Sequence, residues 1–352
     1  LDSLTQLALG AAVGEATLGR RVGNRAIVWG AICGTIPDLD VFIPLGGPVA
    51  DFTYHRSFSH SLFVLAALTP LVVWLILRIH PQTRQARGGW LLMVYLVFAT
   101  HVLLDSFTVY GTQIFWPLVD TPMTWSTIFI IDPLYTLPLV VGVTGALVAT
   151  RDSSWGRKLN WAGLSLSTAY LAWSLGAKLH VENVARKSLS AQGITYRQLL
   201  TTPAPFNTLL WRIVATDAEG YYEGFYSLLD EDRDIQTQRF AGRPSLLQGL
   251  EQHWPVARLQ WFTKGLYSVT QRGDDVIMTD LRMGLEPNYV FRFKVAEIGN
   301  PHPRPVPDQR VEGIRDLSRL KWVWARIWQD VPERHRPLGS ATAAPVSDLP
   351  GR

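Results

Sequence analysis

The chain has 352 residues, 47% hydrophobic and only 18% charged, which is room for two domains and an unusually apolar average. A formal charge of +4 with no basic stripe argues against a nucleic-acid partner. The single cysteine, Cys33, excludes both an intrachain disulfide and a cysteine cluster for zinc.

In chain order, Leu4 to Leu18 and Ala26 to Ile36 come first, short and rich in Gly and Ala. Small side chains let helices approach closely in a membrane, so these read as two short helices tucked against a bundle. Four longer stretches follow: Ser61 to Ile79, Gly89 to Phe107, Ile128 to Thr150 and Leu159 to Leu179. Each approaches the ~20 apolar residues that cross a bilayer. The expected fold over 1–180 is therefore a membrane all-α helical bundle with about four full spans plus two short N-terminal helices. No basic region followed by an apolar core and a small-residue cleavage site marks a signal peptide.

Loop charge orients these segments. Arg20, Arg21 and Arg25 fall in the first connection, Arg78, Arg84 and Arg87 in the third, and Arg151, Arg157 and Lys158 in the fifth. The stretches Pro37 to Arg56 and Tyr110 to Ser126 are poor in Lys and Arg. The positive-inside rule makes the basic connections cytoplasmic, in a multi-pass inner-membrane protein whose C-terminal half emerges on the other side.

Ionisable groups are costly in a membrane, yet here they cluster. Pro37-Asp38-Leu39-Asp40, His55 to His60, His101 to Asp105 and Ile131-Asp132-Pro133 all fall at the non-cytoplasmic end of that topology. His101 and Asp105, four residues apart, share one helix face. Single residues have simpler readings: Asp132 before Pro133 can start a helix, Ser57 and Ser59 can cap one, and Arg56 can extend to headgroups. Asp38, His55, His60, His101 and Asp105 at one depth exceed what capping explains. Together they point to a divalent metal, zinc ahead of manganese or iron, and to one to three ions.

Asp2-Ser3-Leu4-Thr5-Gln6, Pro-Asp-Leu-Asp at 37–40, the His-Arg-x-x-x-His-Ser run at 55–61 and the His-x-x-x-Asp-x-x-Thr-x-x-Gly run at 101–111 carry a resemblance. Together they resemble the membrane-bound metal-dependent hydrolase family of bacterial and archaeal inner membranes, whose His and Asp motifs are similar to zinc-dependent phospholipase C. The resemblance covers about residues 1–180. It implies that Asp38, His55, His60, His101 and Asp105 are the metal-site residues. Many members carry a histidine where this chain has Gln6, so Gln6 is either a missing nitrogen ligand or an outer-shell partner.

Beyond Val184 the pattern changes to that of a soluble α+β domain with an antiparallel sheet, over 185–330. Leu210 to Thr216 and Tyr221 to Leu228 read as a hairpin. Leu266 to Gln271, Asp275 to Leu281 and Tyr289 to Glu297 read as further strands, and Pro244 to His253 and Pro255 to Lys264 as helices. Leu317 to Trp328 reads as an amphipathic helix whose indoles rest on the membrane or on the sheet. Residues 331–352 read as a disordered tail.

The functional expectation is an integral-membrane metal-dependent hydrolase cleaving a phosphoester of a lipid-linked or membrane-proximal substrate. Arg56 would meet the phosphate, and Asp40 or Asp132 would take a proton from water. The alternative is a metal or proton transporter or a metal-binding membrane scaffold. The apolar cytoplasmic halves of Ser61–Ile79 and Gly89–Phe107 favour the one-sided site.

Overall fold

The computed structural model describes residues 1–149, 154–232, 234–312 and 319–329; the expected tail and Arg151 lie outside them. The chain opens with α1 (Ser3–Gly14), started by the Asp2 side chain accepting from the Thr5 amide. A π-helical turn, Glu15–Gly19, leads into α2 (Arg20–Val22). Gly23, at φ +66°, then reverses the chain into α3 (Arg25–Thr35).

Glycine decides how α1 and α3 pack. A Cβ added to Gly30 would stand 2.2 Å from the Gly10 carbonyl oxygen, and one added to Gly34 would stand 2.5 Å from that of Gln6. The two backbones therefore touch, which only hydrogen side chains permit. We expect Gly30→Ala to cost about 1–3 kcal/mol through overpacking. Gly88→Ala, with nothing within 4 Å, should be near neutral. Thermal unfolding of the two variants in detergent checks the contrast.

A 3-10 turn, Pro37–Phe42, follows α3, then α4 (Pro48–Tyr54) and a 3-10 turn at Phe58–His60. Next come α5 (Leu62–Ile79), capped by the Ser61 hydroxyl accepting from the Phe63 and Val64 amides, and α6 (Arg87–Ser106). Ser61, rather than Ser57 or Ser59, is the cap. An irregular segment leads to α7 (Pro133–Val148), then α8 (Ser154–Ala191). Trp90, Met93, Val97 and Phe98 of α6 and Leu65 and Ile76 of α5 form the buried centre.

Four full spans are not present. Only Leu62–Ile79 and the stretch Pro81–Ser106 are helical, long and apolar enough to cross a membrane among the described residues. The third expected span is the 16-residue α7, about 24 Å long at 1.5 Å per residue, short of a ~30 Å hydrocarbon core. The fourth lies within the 38-residue α8, whose Asn160, Ser167 and Ser174 are buried and whose Lys178 donates to the Thr201 carbonyl. These polar groups satisfy helix packing and the sheet rather than facing lipid.

Among the described residues the C-terminal part holds ten strands. The first four, β1 (Gln198–Pro203), β2 (Leu210–Thr216), β3 (Gly220–Ser227) and β4 (Thr237–Ala241), form an antiparallel meander. After a 3-10 turn at Pro244–Leu247, in place of the helix expected there, comes α9 (Trp254–Thr263). Then follow β5 (Tyr267–Arg272), β6 (Asp275–Asp280), a small ribbon of β7 (Gly284–Leu285) and β8 (Asn288–Tyr289), β9 (Arg292–Glu297) and β10 (Arg304–Arg310). The second sheet runs β10-β9-β6-β5.

In the last helix, α10 (Arg319–Trp328), Val323 and Ile327 pack beside Leu210, while Trp324 and Trp328 are exposed. The C-terminal end of α8 belongs to both parts, its Val181, Val184 and Ala185 packing on Trp211, Ile213 and Tyr226. Phe52 of α4 likewise sits among Phe262, Phe291 and Phe293. The sheets therefore abut the helical region at the end where the ionisable residues gather.

Candidate metal centre

Three elements converge there. The turn after α3 brings Asp38, the turn before α5 brings His60, and the last turns of α6 bring His101 and Asp105. One donor atom from each lies within 4.8 Å of all the others. The two imidazole Nε2 atoms are 3.2 Å apart. His60 Nε2 is 3.1 Å from Asp105 Oδ2 and 3.3 Å from Asp38 Oδ1, and His101 Nε2 is 3.6 Å from each of the same oxygens. A tetrahedron with bonds of about 2.0–2.1 Å has edges of ~3.3 Å, so this donor set fits one four-coordinate ion.

The hydrogen-bond partners of the two rings determine which nitrogens can face a cation. His101 Nδ1 lies 2.7 Å from the Gly34 carbonyl oxygen, which only accepts, so Nδ1 carries the proton. The Ser59 hydroxyl donates its proton to Asp40 Oδ2 at 2.6 Å, so His60 Nδ1, 2.9 Å away, must donate to Ser59. With a proton on each Nδ1, both Nε2 atoms point inward toward two carboxylate oxygens, and as neutral rings they would present lone pairs to a cation. Asp105 Oδ2 is buried and forms no well-aligned hydrogen bond, although Arg56 Nε stands 3.2 Å away as an ion-pair partner. The group can hold a metal ion.

Burial opposes ionisation of Asp38. With protons on the Nε2 atoms of His101 and His60, the state that precedes displacement by a cation, hydrogen bonds from those imidazoles outweigh burial and hold the Asp38 carboxyl well below the usual carboxylate range. Asp40 behaves alike: burial raises it, and His55, His60 and Ser59 more than reverse that.

Several outer groups brace the donors. Gln6 donates from Nε2 to Asp105 Oδ1 at 3.0 Å, and its Oε1 is buried without a hydrogen-bond partner. Arg56 Nε stands 3.2 Å from Asp105 Oδ2. Arg56 is buried rather than extended to headgroups, and sits over the Tyr110 ring. Its φ of +63° is a strained conformation for a non-glycine residue. It is held because the Arg56 amide donates to Asp40 Oδ2 and its carbonyl accepts from the Gln113 amide. Removing an outer partner of a metal ligand typically costs 10–100-fold in affinity. We expect Gln6→Ala to weaken zinc binding by about that factor, measured by competition with a chelating dye.

The other expected site residues lie around this group rather than in it. His55 turns its Nδ1 to Asp40 Oδ1 at 2.8 Å, and Asp40 Oδ2 is 4.0 Å from His60 Nδ1. Asp132 caps α7, accepting from the Leu134 and Tyr135 amides and from the Tyr170 hydroxyl. Sequence reasoning passed over Ser59 as a proton acceptor and the Gly34 carbonyl. The Gly10, Gly14, Gly30, Gly34 spacing was the available signal for the latter.

A family model of YdjM inner membrane proteins matches residues 1–181, a stretch that contains all four donors. The chain belongs to the YdjM inner membrane protein family. This membership and the two long apolar helices together indicate membrane association. The match establishes a membrane family and carries neither the hydrolase label nor the phospholipase C likeness expected from the motifs. No curated protein and no solved structure matches the chain significantly.

Proposed function

We propose that this YdjM-family protein is an integral-membrane metal-dependent hydrolase cleaving a phosphoester of a lipid-linked or membrane-proximal substrate at the non-cytoplasmic face. The buried Asp38, His60, His101 and Asp105 group carries the reading. Two imidazoles with two carboxylates suit zinc, then manganese or iron, better than calcium or magnesium. Such an ion, when bound, supplies Lewis acidity toward a phosphoryl oxygen.

The chain's own groups do the rest. Asp40, charged and beside His60, accepts the proton of an attacking water, and His55 orients it. Asp40 lines the adjoining cavity and neighbours His60, whereas Asp132 caps α7 and accepts from Tyr170, which favours Asp40 in this role. Arg56 offsets the Asp105 charge and, beside the donors, meets the phosphoryl group.

A cavity of about 470 Å³ opens beside this group, lined by Asp40, His55 and Tyr110 on one side and by Phe291, Phe293 and Arg310 of the sheet part on the other. It gives a headgroup a place next to Asp40. Leu39, Val41 and Phe42 beside it are exposed and offer apolar surface to acyl chains. The orientation rests on Arg78, Arg84 and Arg87, at the opposite end of α5 and α6 from the donors. The positive-inside rule places that end in the cytoplasm and the metal group and sheets outside.

The test is phosphoester cleavage by the zinc-loaded protein on vesicles containing labelled phospholipids and on soluble phosphoesters. Wild type should turn over at least one. Asp40→Asn should lose about 10²–10⁴-fold in rate as general-base removal does, with its zinc retained. Absence of turnover across the panel by fully loaded wild type would sink the reading.

A further inference from the structure

The far ends of α5 and α6 hold a second cavity, remote from the metal group and of different chemistry. About 540 Å³ in volume, it is walled by Trp74, Leu77 and Leu91 and bordered by Arg78, Arg84 and Arg87. No Asp or Glu occurs in the sequence between Asp51 and Asp105, and no carboxylate lines this cavity. Among the described residues, none of the three guanidiniums has a carboxylate partner. Arg78 lies over the Trp74 ring at 5.1 Å, which holds its charge at the mouth.

We infer that this cavity binds one anionic phospholipid from the leaflet on the α5–α6 turn side. Guanidinium forks match phosphate oxygens, and the absence of acidic neighbours leaves them uncompensated. The apolar wall continues onto Leu71 and Leu75, exposed on α5, so acyl chains can lie along the helix while the phosphate meets the arginines. Basic pockets between membrane helices on the cytoplasmic side are suited to such headgroups. Arginines that only set orientation need no cavity and no apolar wall, and these three have both. The inference does not depend on the metal centre or on hydrolysis.

The test uses the full chain in detergent, titrated with phosphatidylglycerol or phosphatidylcholine and followed by native mass spectrometry. Wild type should retain one phosphatidylglycerol per chain in preference to phosphatidylcholine. Arg84→Gln/Arg87→Gln should weaken that retention roughly 30-fold, with zinc content and thermal midpoint unchanged. Leu91→Trp, which keeps every arginine but fills the groove, should weaken it as well. Equal retention by wild type and the double variant would overturn the inference, as would equal retention of the two lipids. Displacement of the lipid by millimolar inorganic phosphate would show an anion site rather than a lipid site, and would overturn it too.

Discussion

Replacing His101 with alanine should strip the protein of bound metal. The imidazole supplies one of four donors, and its Nδ1–H to the Gly34 carbonyl fixes its ring. Losing a whole ligand should exceed the 10–100-fold cost of losing an outer partner, so zinc affinity should fall by more than about 100-fold. Elemental analysis after dialysis against a weak chelator reads this directly. His55→Ala, outside the four-donor group, is the comparison: its zinc content should stay near wild type. Equal retention by His101→Ala and wild type would remove the site as drawn.

The second large effect is expected at Arg282, which fastens the sheets to the metal-bearing end. Its guanidinium makes two-pronged contact with Asp280, with Nε 2.9 Å from Oδ1 and Nη2 2.7 Å from Oδ2. Nη1 reaches the Tyr110 carbonyl at 2.9 Å. All of this is buried, so Arg282→Ala leaves the Asp280 carboxylate without its counter-charge and should cost about 3–5 kcal/mol. The double variant Arg282→Met/Asp280→Asn removes both charges and should recover a good part of that loss. Tyr110 stacks edge-on against His55 and lies under Arg56, so cleavage by protease near 107–113 should rise in the single variant. Thermal melts and limited proteolysis of the three proteins check both statements.

The metal group was the most legible part of the sequence because charge in an apolar run has few explanations. His101 and Asp105 shared a face by helical spacing alone, and their convergence with Asp38 and His60 followed once the loops were oriented. The tautomers were not legible, because they depend on a backbone carbonyl and on a serine hydroxyl whose proton goes elsewhere. His55 lies one residue from Arg56, whose positive φ turns the backbone there. Sequence spacing has no access to that turn, and so placed His55 with the donors.

Counting spans from hydropathy failed for an identifiable reason. Averaging over Leu159 to Leu179 hides Asn160, whose Nδ2 donates to the Ala12 carbonyl, and Ser167, which donates to the Tyr135 carbonyl. These side chains pack helix on helix, and α8 then continues onto the sheet. The central hairpin β2–β3 was legible from alternation and its turn. The strand β10 was not, because Pro305 and Pro307 break the residue pattern of a strand, and β10 tolerates them as an edge strand paired only with β9.

The coordination of a bound ion by Asp38, His60, His101 and Asp105 is open to direct measurement. X-ray absorption at the zinc edge of the purified, zinc-loaded protein should show about four nitrogen or oxygen scatterers at ~2.0–2.1 Å. The outer-shell signal of two imidazoles should accompany them. A sulfur scatterer, a shell of oxygens without imidazole, or no stoichiometric zinc to measure would contradict the site built from Asp38, His60, His101 and Asp105.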